Sequence, residues 1–320
     1  MARKEKYLFG PVPSRRLGQS LGVDIVPHKV CTLDCVYCQV GRSTEITIER
    51  KEYIAIEPVI SELKNRIAKG LQADFITISG SGEPTLNSRL GNIIDEIKKI
   101  TNIPVAVLTN GTLLFDASVR ADCAKADVVL PSLDAADEAT FQKINRPHKD
   151  ISIEKLISGL YRFRREYKGQ IWLEVFFVEG INTGDEQIAK IKEAIVQIQP
   201  DRVQLNTAVR PTAQPGIKKV EAEKLQAIAA QLGEKAEVIA DFSFHSHRKD
   251  SENRTGESSD EKNKAETLFS ILKRRPCSVE DLCSGLGWHR NEVLKYVASL
   301  QQKGVVIAEE KGGVMFFRPK

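Results

Sequence analysis

A chain of 320 residues with 41% apolar and 28% charged side chains has room for one domain of ordinary size and a small one. No stretch approaches the roughly 18 uninterrupted apolar residues of a membrane span, and the basic start at residues 1–6 leads into no apolar leader, so a soluble, cytoplasmic protein without a membrane partner is expected. The net charge of +4 lies in residues 264–320, which hold ten Lys or Arg against six Asp or Glu, and six cysteines, three of them clustered, suit a reducing compartment and a metal site better than a disulfide framework.

The lead-in from Gly10 to Gly22 carries Arg15 and Arg16, which read equally as surface charges or as contacts to a phosphate or carboxylate on a substrate. Strands are predicted at Gly22–Val26, Asp74–Ser79, Pro104–Thr109, Asp127–Pro131, Ile171–Val178, Arg202–Asn206 and Glu237–Ala240. Between them, apolar residues three and four apart predict helices at Pro58–Lys69, Leu86–Ile100, Ile153–Tyr167, Asp185–Ile198 and Val220–Leu232. This alternation is the signature of a parallel sheet covered by crossover helices. Cys123 stands alone in a helical stretch, and Cys277 and Cys283 fit an apolar helix face; all three read as core thiols.

Residues 246–263 are polar throughout and read as a linker, dividing the chain into 1–245 and 264–320. The tail predicts helices at Ala265–Arg274, Val279–Ser284 and Trp288–Gln302, then strands Val305–Ala308 and Val314–Phe317 around Lys311-Gly312-Gly313. Three helices and a hairpin in that order look like a winged helix, with Ser278 as N-cap and a turn at Gly285–Gly287. Val293, Val297 and Leu300 form the buried stripe of the third helix. Trp288, His289, Arg290, Asn291 and Lys295 lie where such a helix meets nucleic acid, docking on protein being the alternative.

Parallel α/β folds bind ligands in the loops at the carboxyl ends of their strands. The first such loop is Cys31-Thr32-Leu33-Asp34-Cys35-Val36-Tyr37-Cys38. Three thiolates at this spacing hold three irons of a cluster and leave the fourth open for chemistry; zinc with His28 as fourth ligand is the alternative, although a second thiol pair downstream is missing. Further loops are Ser79–Thr85, Thr109–Gly111, Ser132–Asp134, and Asn206 running to Arg210, with Arg146-Pro147-His148 adding basic residues. Glu174, amid Trp172, Val175 and Phe176, needs a partner: polar cofactor atoms inside the sheet, or a salt bridge on the helix side.

Taken together these motifs resemble the radical S-adenosylmethionine (SAM) superfamily, in the branch of the wyosine-type tRNA-modifying enzymes, over about residues 7–215 and most strongly before residue 45. The resemblance implies a partial (β/α)6 TIM-like barrel in which Cys31, Cys35 and Cys38 ligate a 4Fe-4S cluster whose fourth iron is chelated by the methionine end of SAM. Tyr37 falls near the adenine; Gly82, Glu83 and Pro84, preceded by Ser81 where the family has glycine, receive the methionine ammonium. Asn110, Ser132, Asp134, Glu174 and Asn206 are the remaining candidates for the cosubstrate, and Arg15, Arg16, Arg146 and Arg210 those for substrate. An external electron donor of flavodoxin or ferredoxin type is implied, with reductive cleavage of SAM to a 5′-deoxyadenosyl radical. The wyosine enzymes carry a second set of cysteines and this chain has none before Cys31, so their pyruvate condensation is not carried over. The substrate is expected to be RNA or protein presented by the tail. The competing reading is a DNA-binding regulator whose cluster senses oxygen or cosubstrate.

Overall fold

In the computed structural model, which describes residues 7–240 and 261–320, the chain opens with an antiparallel pair, β1 (Leu8–Ser14) and β2 (Gly18–Val23), whose turn carries Arg15 and Arg16. A short parallel ladder of β3 (Val30–Cys31) and β4 (Glu45–Ile46) closes the cysteine loop on itself. Helix and strand then alternate: α1 (Ile56–Ala68), β5 (Phe75–Ile78), α2 (Leu90–Ile100), β6 (Val105–Thr109), α3 (Ala117–Cys123), β7 (Val128–Pro131), α4 (Glu138–Ile144), α5 (Ile153–Glu166), β8 (Gln170–Phe177), α6 (Asp185–Ile198), β9 (Arg202–Thr207), α7 (Ala222–Leu232) and β10 (Ala236–Val238). Neighbours in the eight-stranded sheet follow chain order, β1-β2-β5-β6-β7-β8-β9-β10, and every pair from β2 onward is parallel. Strands added in sequence and joined by crossover helices form a barrel; here β1 and β10 are not paired, so the barrel is partial and open.

The inner strands read FITI, VAVLT, VVLP and IWLEVFF, the near-continuous apolar runs of strands covered on both faces. Along β8, Leu173, Val175 and Phe177 enter the main core beneath the helices. Trp172 instead packs on Leu17, Ala106, Val128 and Leu130, and Phe176 on Val36 and Tyr37. With a side-chain period of two, Glu174 shares the lumen face with Trp172 and Phe176. The side chains of Asp116, Asp137 and Ser152 accept from the first free N–H groups of α3, α4 and α5, each such cap contributing about 0.5–2 kcal/mol.

Strand β2 begins at Gly18 rather than Gly22 because β1 supplies a partner that sequence reasoning did not provide. Pro11 and Pro13 argue against a central strand; β1 tolerates them as an edge strand bulged between Phe9 and Val12. Helices α3 and α4, seven residues each, are too short for periodicity to define.

Beyond residue 260 come α8 (Glu261–Leu272), α9 (Val279–Leu286), α10 (Arg290–Gln302) and the hairpin β11 (Val306–Lys311) and β12 (Val314–Pro319), in the expected order. The predicted linker at 246–263 lies outside the described residues up to 260, and α8 starts within its last residues. Leu268, Leu272, Leu282, Val293, Val297 and Phe317 give this unit its own core. Ser278 and Asp281 form a capping box on α9, and Gly312 and Gly313, at φ +60° and +77°, make the two-residue hairpin turn. Cys123 is buried in α3 as expected; Cys277 is buried too but lies before α9, bridged to Phe317 of β12 rather than on a helix face with the half-buried Cys283.

This unit lies across the open edge of the barrel. On the β1 side, Gly285 faces Pro13, while Arg274 lies 4.3 Å over the Phe9 ring and 3.4 Å from Asp24. On the far side, Asp281 pairs with Arg210 at 2.8 Å, and Lys311 Nζ donates to the Arg210 carbonyl at 2.9 Å. No helix among the described residues is long and apolar enough to cross a membrane.

Candidate cofactor and substrate site

The three clustered thiols sit half-buried in a loop tied to its neighbours through backbone bonds. Asp34 and Val36 N–H donate to the carbonyls of Asn145 and Ile144 at 3.0 and 2.9 Å. Two carboxamides reach the sulfurs: Asn110 Nδ2 lies 3.6 Å from Cys31 Sγ and Asn145 Nδ2 lies 3.4 Å from Cys35 Sγ. Asn110 also donates to Thr32 Oγ1 at 2.7 Å and accepts from Thr112 N–H and Oγ1. Burial, reinforced by Glu83, pushes the Cys31 thiol up to about 12, and burial with Asp134 pushes Cys35 well above the usual thiol range. These thiols therefore hold their protons until a metal centre displaces them.

The Ser81-Gly82-Glu83 loop is laced to the cysteine loop by Lys29 N–H to the Ser81 carbonyl at 2.7 Å and Glu83 N–H to the Val30 carbonyl at 3.0 Å. A Cβ on Gly82 would stand 2.1 Å from the Val30 oxygen, so glycine is required for this approach. Glu83 itself is 2% exposed. Its carboxylate accepts from Thr85 N–H and Oγ1, Thr109 Oγ1 at 2.6 Å and Asn110 N–H at 2.8 Å, and burial raises its pKa against those donors. Three of these donors fall on Oε1 and one, the Asn110 N–H, on Oε2, so the chain itself holds the carboxylate that the sequence reading gave to the methionine ammonium, and Glu83 ties the two loops together. Pro84 is buried at the start of a one-turn helix.

Tyr37 stacks on Phe176, ring centroids 3.8 Å apart, and its hydroxyl donates to Asp134. Asp134 also accepts from Asn145 Nδ2 at 2.7 Å and Phe176 N–H at 2.8 Å; burial lifts its pKa to about 6 although these donors oppose the rise. It is thus a buried hub joining the cysteine loop to β8. Ser132 is half-buried and bridges to Glu174 at the adjacent strand end. Both alternatives for Glu174 are met in part, since it faces the lumen and carries a salt bridge: Arg16 lies at 2.7 Å and Asn206 Nδ2 donates at 2.8 Å. Burial works to raise its pKa, but Arg16 and Asn206 hold it below the usual carboxylate value.

Three of the four candidate substrate arginines are occupied by the chain itself. Arg16 is bound to Glu174, Arg146 to Gln214, and Arg210 to Asp281, as half-buried or buried guanidinium groups demand acceptors. Arg15 keeps an exposed surface, yet the protein around its guanidinium partly desolvates it, and that desolvation, with Arg210 next, pulls its pKa to about 10 against Glu174.

His28 is exposed. Among the described residues, no three His, Cys, Asp or Glu side chains stand close enough to hold one ion, which a zinc site with His28 would need. A cluster, bound through a separate iron at each thiol, does not require that convergence. The donor set fits it further: two amide N–H groups on the sulfurs are the bonds that tune iron–sulfur centres, and the buried Lys29 Nζ has no hydrogen-bond partner among the described residues.

The sequence profile of the Radical SAM superfamily matches residues 25–195. A UPF0026 protein of Methanocaldococcus jannaschii is 39% identical over 71% of each chain. The GTPase Obg of Brachyspira hyodysenteriae is 36% identical over 98% of this chain, which spans 45% of that longer relative. Among solved structures, TYW1 with a lysine–pyruvate adduct bound aligns with a TM-score of 0.54 at 20% identity, covering 70% of this chain and 75% of that one, a likeness of fold. The chain belongs to the radical SAM superfamily, alongside the UPF0026 proteins. Membership brings the superfamily's two cofactors, a 4Fe-4S cluster and SAM.

Sequence reasoning missed Asn145, Lys29 and Asp24. Asn145 lies one residue before Arg146, which the motif search did reach, and its link to Cys35 spans 110 positions. Asp24, buried near the end of β2, accepts from Ser81 Oγ at 2.6 Å while pairing with Arg274. Lys29 had only its nearness to Cys31 to signal it.

Proposed function

We propose that the protein is a radical SAM enzyme in which Cys31, Cys35 and Cys38 hold the cluster, the backbone of Ser81–Glu83 receives the methionine end of SAM, and Tyr37, Asn110, Ser132, Asp134, Glu174 and Asn206 shape the rest of its cradle. The bound cofactors supply one-electron cleavage of SAM, giving methionine and a 5′-deoxyadenosyl radical that abstracts hydrogen from substrate. The observation that carries this reading is the cysteine loop itself: three half-buried thiols at the carboxyl end of a parallel sheet, with carboxamide donors on Cys31 and Cys35. The chain's own part is to fix the sulfurs, keep water from the lumen and orient the hydrogen to be removed.

The substrate enters beside Arg15, which meets an anionic group, while Arg16, Arg146 and Arg210 brace the wall around it. The unit at 264–320 is a winged helix that presents RNA or protein to the lumen, and a flavodoxin or ferredoxin supplies the electron. Support for the tail's role comes from exposed His289, Arg290, Asn291 and Lys295 on α10 and from its contacts across the open edge. A cluster that only sensed oxygen would have no use for the cradle at Gly82, Asn110 and Asp134. Anaerobic incubation with dithionite and SAM is expected to release 5′-deoxyadenosine from wild type and none from Cys35→Ala. A wild-type protein with an intact cluster that neither binds SAM nor releases deoxyadenosine would overturn the reading.

A further inference from the structure

Lys29 has no place in the site as described so far. It stands two residues before Cys31 at φ +69°, a left-handed conformation that is strained for a residue with a side chain. Its N–H donates to the Ser81 carbonyl and its carbonyl accepts from Thr44 N–H at 3.1 Å, so the backbone is held in that conformation from both sides. The side chain turns inward: the residue is 6% exposed. Its Nζ is screened from solvent and bonds to nothing among the described residues. That nitrogen lies inside the loop of the thiols, since a Cβ placed on Gly41 would stand 3.4 Å from it, and Gly41 N–H is bonded to the Cys38 carbonyl. The carboxylate of Asp34 in the same loop is engaged by Ser43 N–H at 2.7 Å.

A buried ammonium with no hydrogen-bond partner is destabilising. A fold that accepts both this burden and a left-handed backbone is prepared for negative charge that comes with a ligand. We propose that Lys29 is the counter-ion of the iron–sulfur cluster: its fixed charge, placed beside the Cys31, Cys35 and Cys38 thiolates, retains the cluster and raises its reduction potential. The inference rests on the cluster assignment above and concerns a positioning residue. In the step it governs, one electron passes from the external donor to the cluster, whose charge becomes more negative by one. Lys29 keeps its proton, and no bond to it forms or breaks. A nearby cation favours the more negative redox state.

The test compares full-length wild type with Lys29→Met, Lys29→Arg and a control at exposed Lys51. Thermal unfolding of the metal-free proteins comes first: removing an uncompensated charge makes apo K29M more stable than apo wild type, whereas a packing role makes it less stable. After anaerobic reconstitution the order reverses, and a dithionite titration followed by electron paramagnetic resonance shows K29M at least tenfold harder to reduce, 59 mV more negative for a one-electron couple. K29R and K51M stay near wild type. An apo K29M less stable than wild type, or a reduction equilibrium within twofold of it, sinks the proposal, as does K29R behaving like K29M. If K29M folds but assembles no cluster while K29R does, the charge requirement holds in its stronger form; failure of both assigns the residue to packing and overturns it. Wild type that reconstitutes no four-iron centre fails the underlying cluster assignment instead, a result visible before any variant is compared.

Discussion

The two ends of the lumen are held by different chemistry. Around the thiols the side-chain hydrogen bonds come from amides and hydroxyls, Asn110, Asn145, Thr32, Thr109 and Thr112, converging on sulfur and on the buried carboxylates Glu83 and Asp134. Toward the open edge the bonds are ion pairs, Arg16 with Glu174, Arg210 with Asp281 and Arg274 with Asp24. Neutral donors fix a site's geometry without adding charge of their own to it. Paired ions, in contrast, keep their geometry only while both partners remain, because breaking one leaves the other buried and unpaired.

Several substitutions probe that contrast. Cys35→Ala removes one of the three proposed cluster thiolates and is expected to bring deoxyadenosine formation and iron content to background. Asn145→Ala leaves the ligands in place, removes the donor shared by Cys35 and Asp134, and weakens cluster retention about 10–100-fold, read as iron loss to a chelator. At the other end, Glu174→Ala strands Arg16 and lowers stability by about 3–5 kcal/mol, measured by denaturant unfolding. Replacing Arg16 and Glu174 together by methionine recovers most of that loss; if the double variant is as unstable as the sum of the singles, the ion-pair account of this end fails.

The same pair predicts a pH dependence. The folded state holds the Glu174 pKa below 4.5, so its stabilisation is complete above the ordinary carboxylate value and disappears as pH falls from about 4.5 through the folded value. The melting temperature of wild type should fall over that range more steeply than that of Glu174→Gln. Smallest of all is Glu280→Gln. Its partner Arg290 and Glu280 itself are 61% and 64% exposed, and the change in stability should stay within about 0–1 kcal/mol.

The parallel strands were legible because burial on both faces forces near-continuous apolar runs, and the cysteine loop because its spacing is itself the chemistry. The tail was legible down to Ser278 and the Gly312-Gly313 turn, since caps and tight turns depend on single residue types. Glu83 and Asp134 were singled out, but the chain's own donors to them were not. A motif says that an acid is needed; it does not say whether the oxygens meet a ligand or the chain's own N–H groups, and that depends on Thr109, Asn110 and Asn145 arriving from distant positions. The acceptors of Arg16, Arg146 and Arg210 were hidden for the same reason, each lying far along the chain at Glu174, Gln214 and Asp281. Strand β1 was hidden by its prolines, which sequence rules count against a strand unless it is known to lie at an edge.

That edge decides how the molecule meets its surroundings. Pro11 and Pro13 bring no N–H to β1, a bulge twists the strand, and α9 lies against Pro13; at the opposite margin β10 is three residues long. Neither border offers a straight ladder on which another chain might continue the sheet. With or without a cluster in place, the scaffold's own borders thus guard the described sheet against strand-to-strand aggregation.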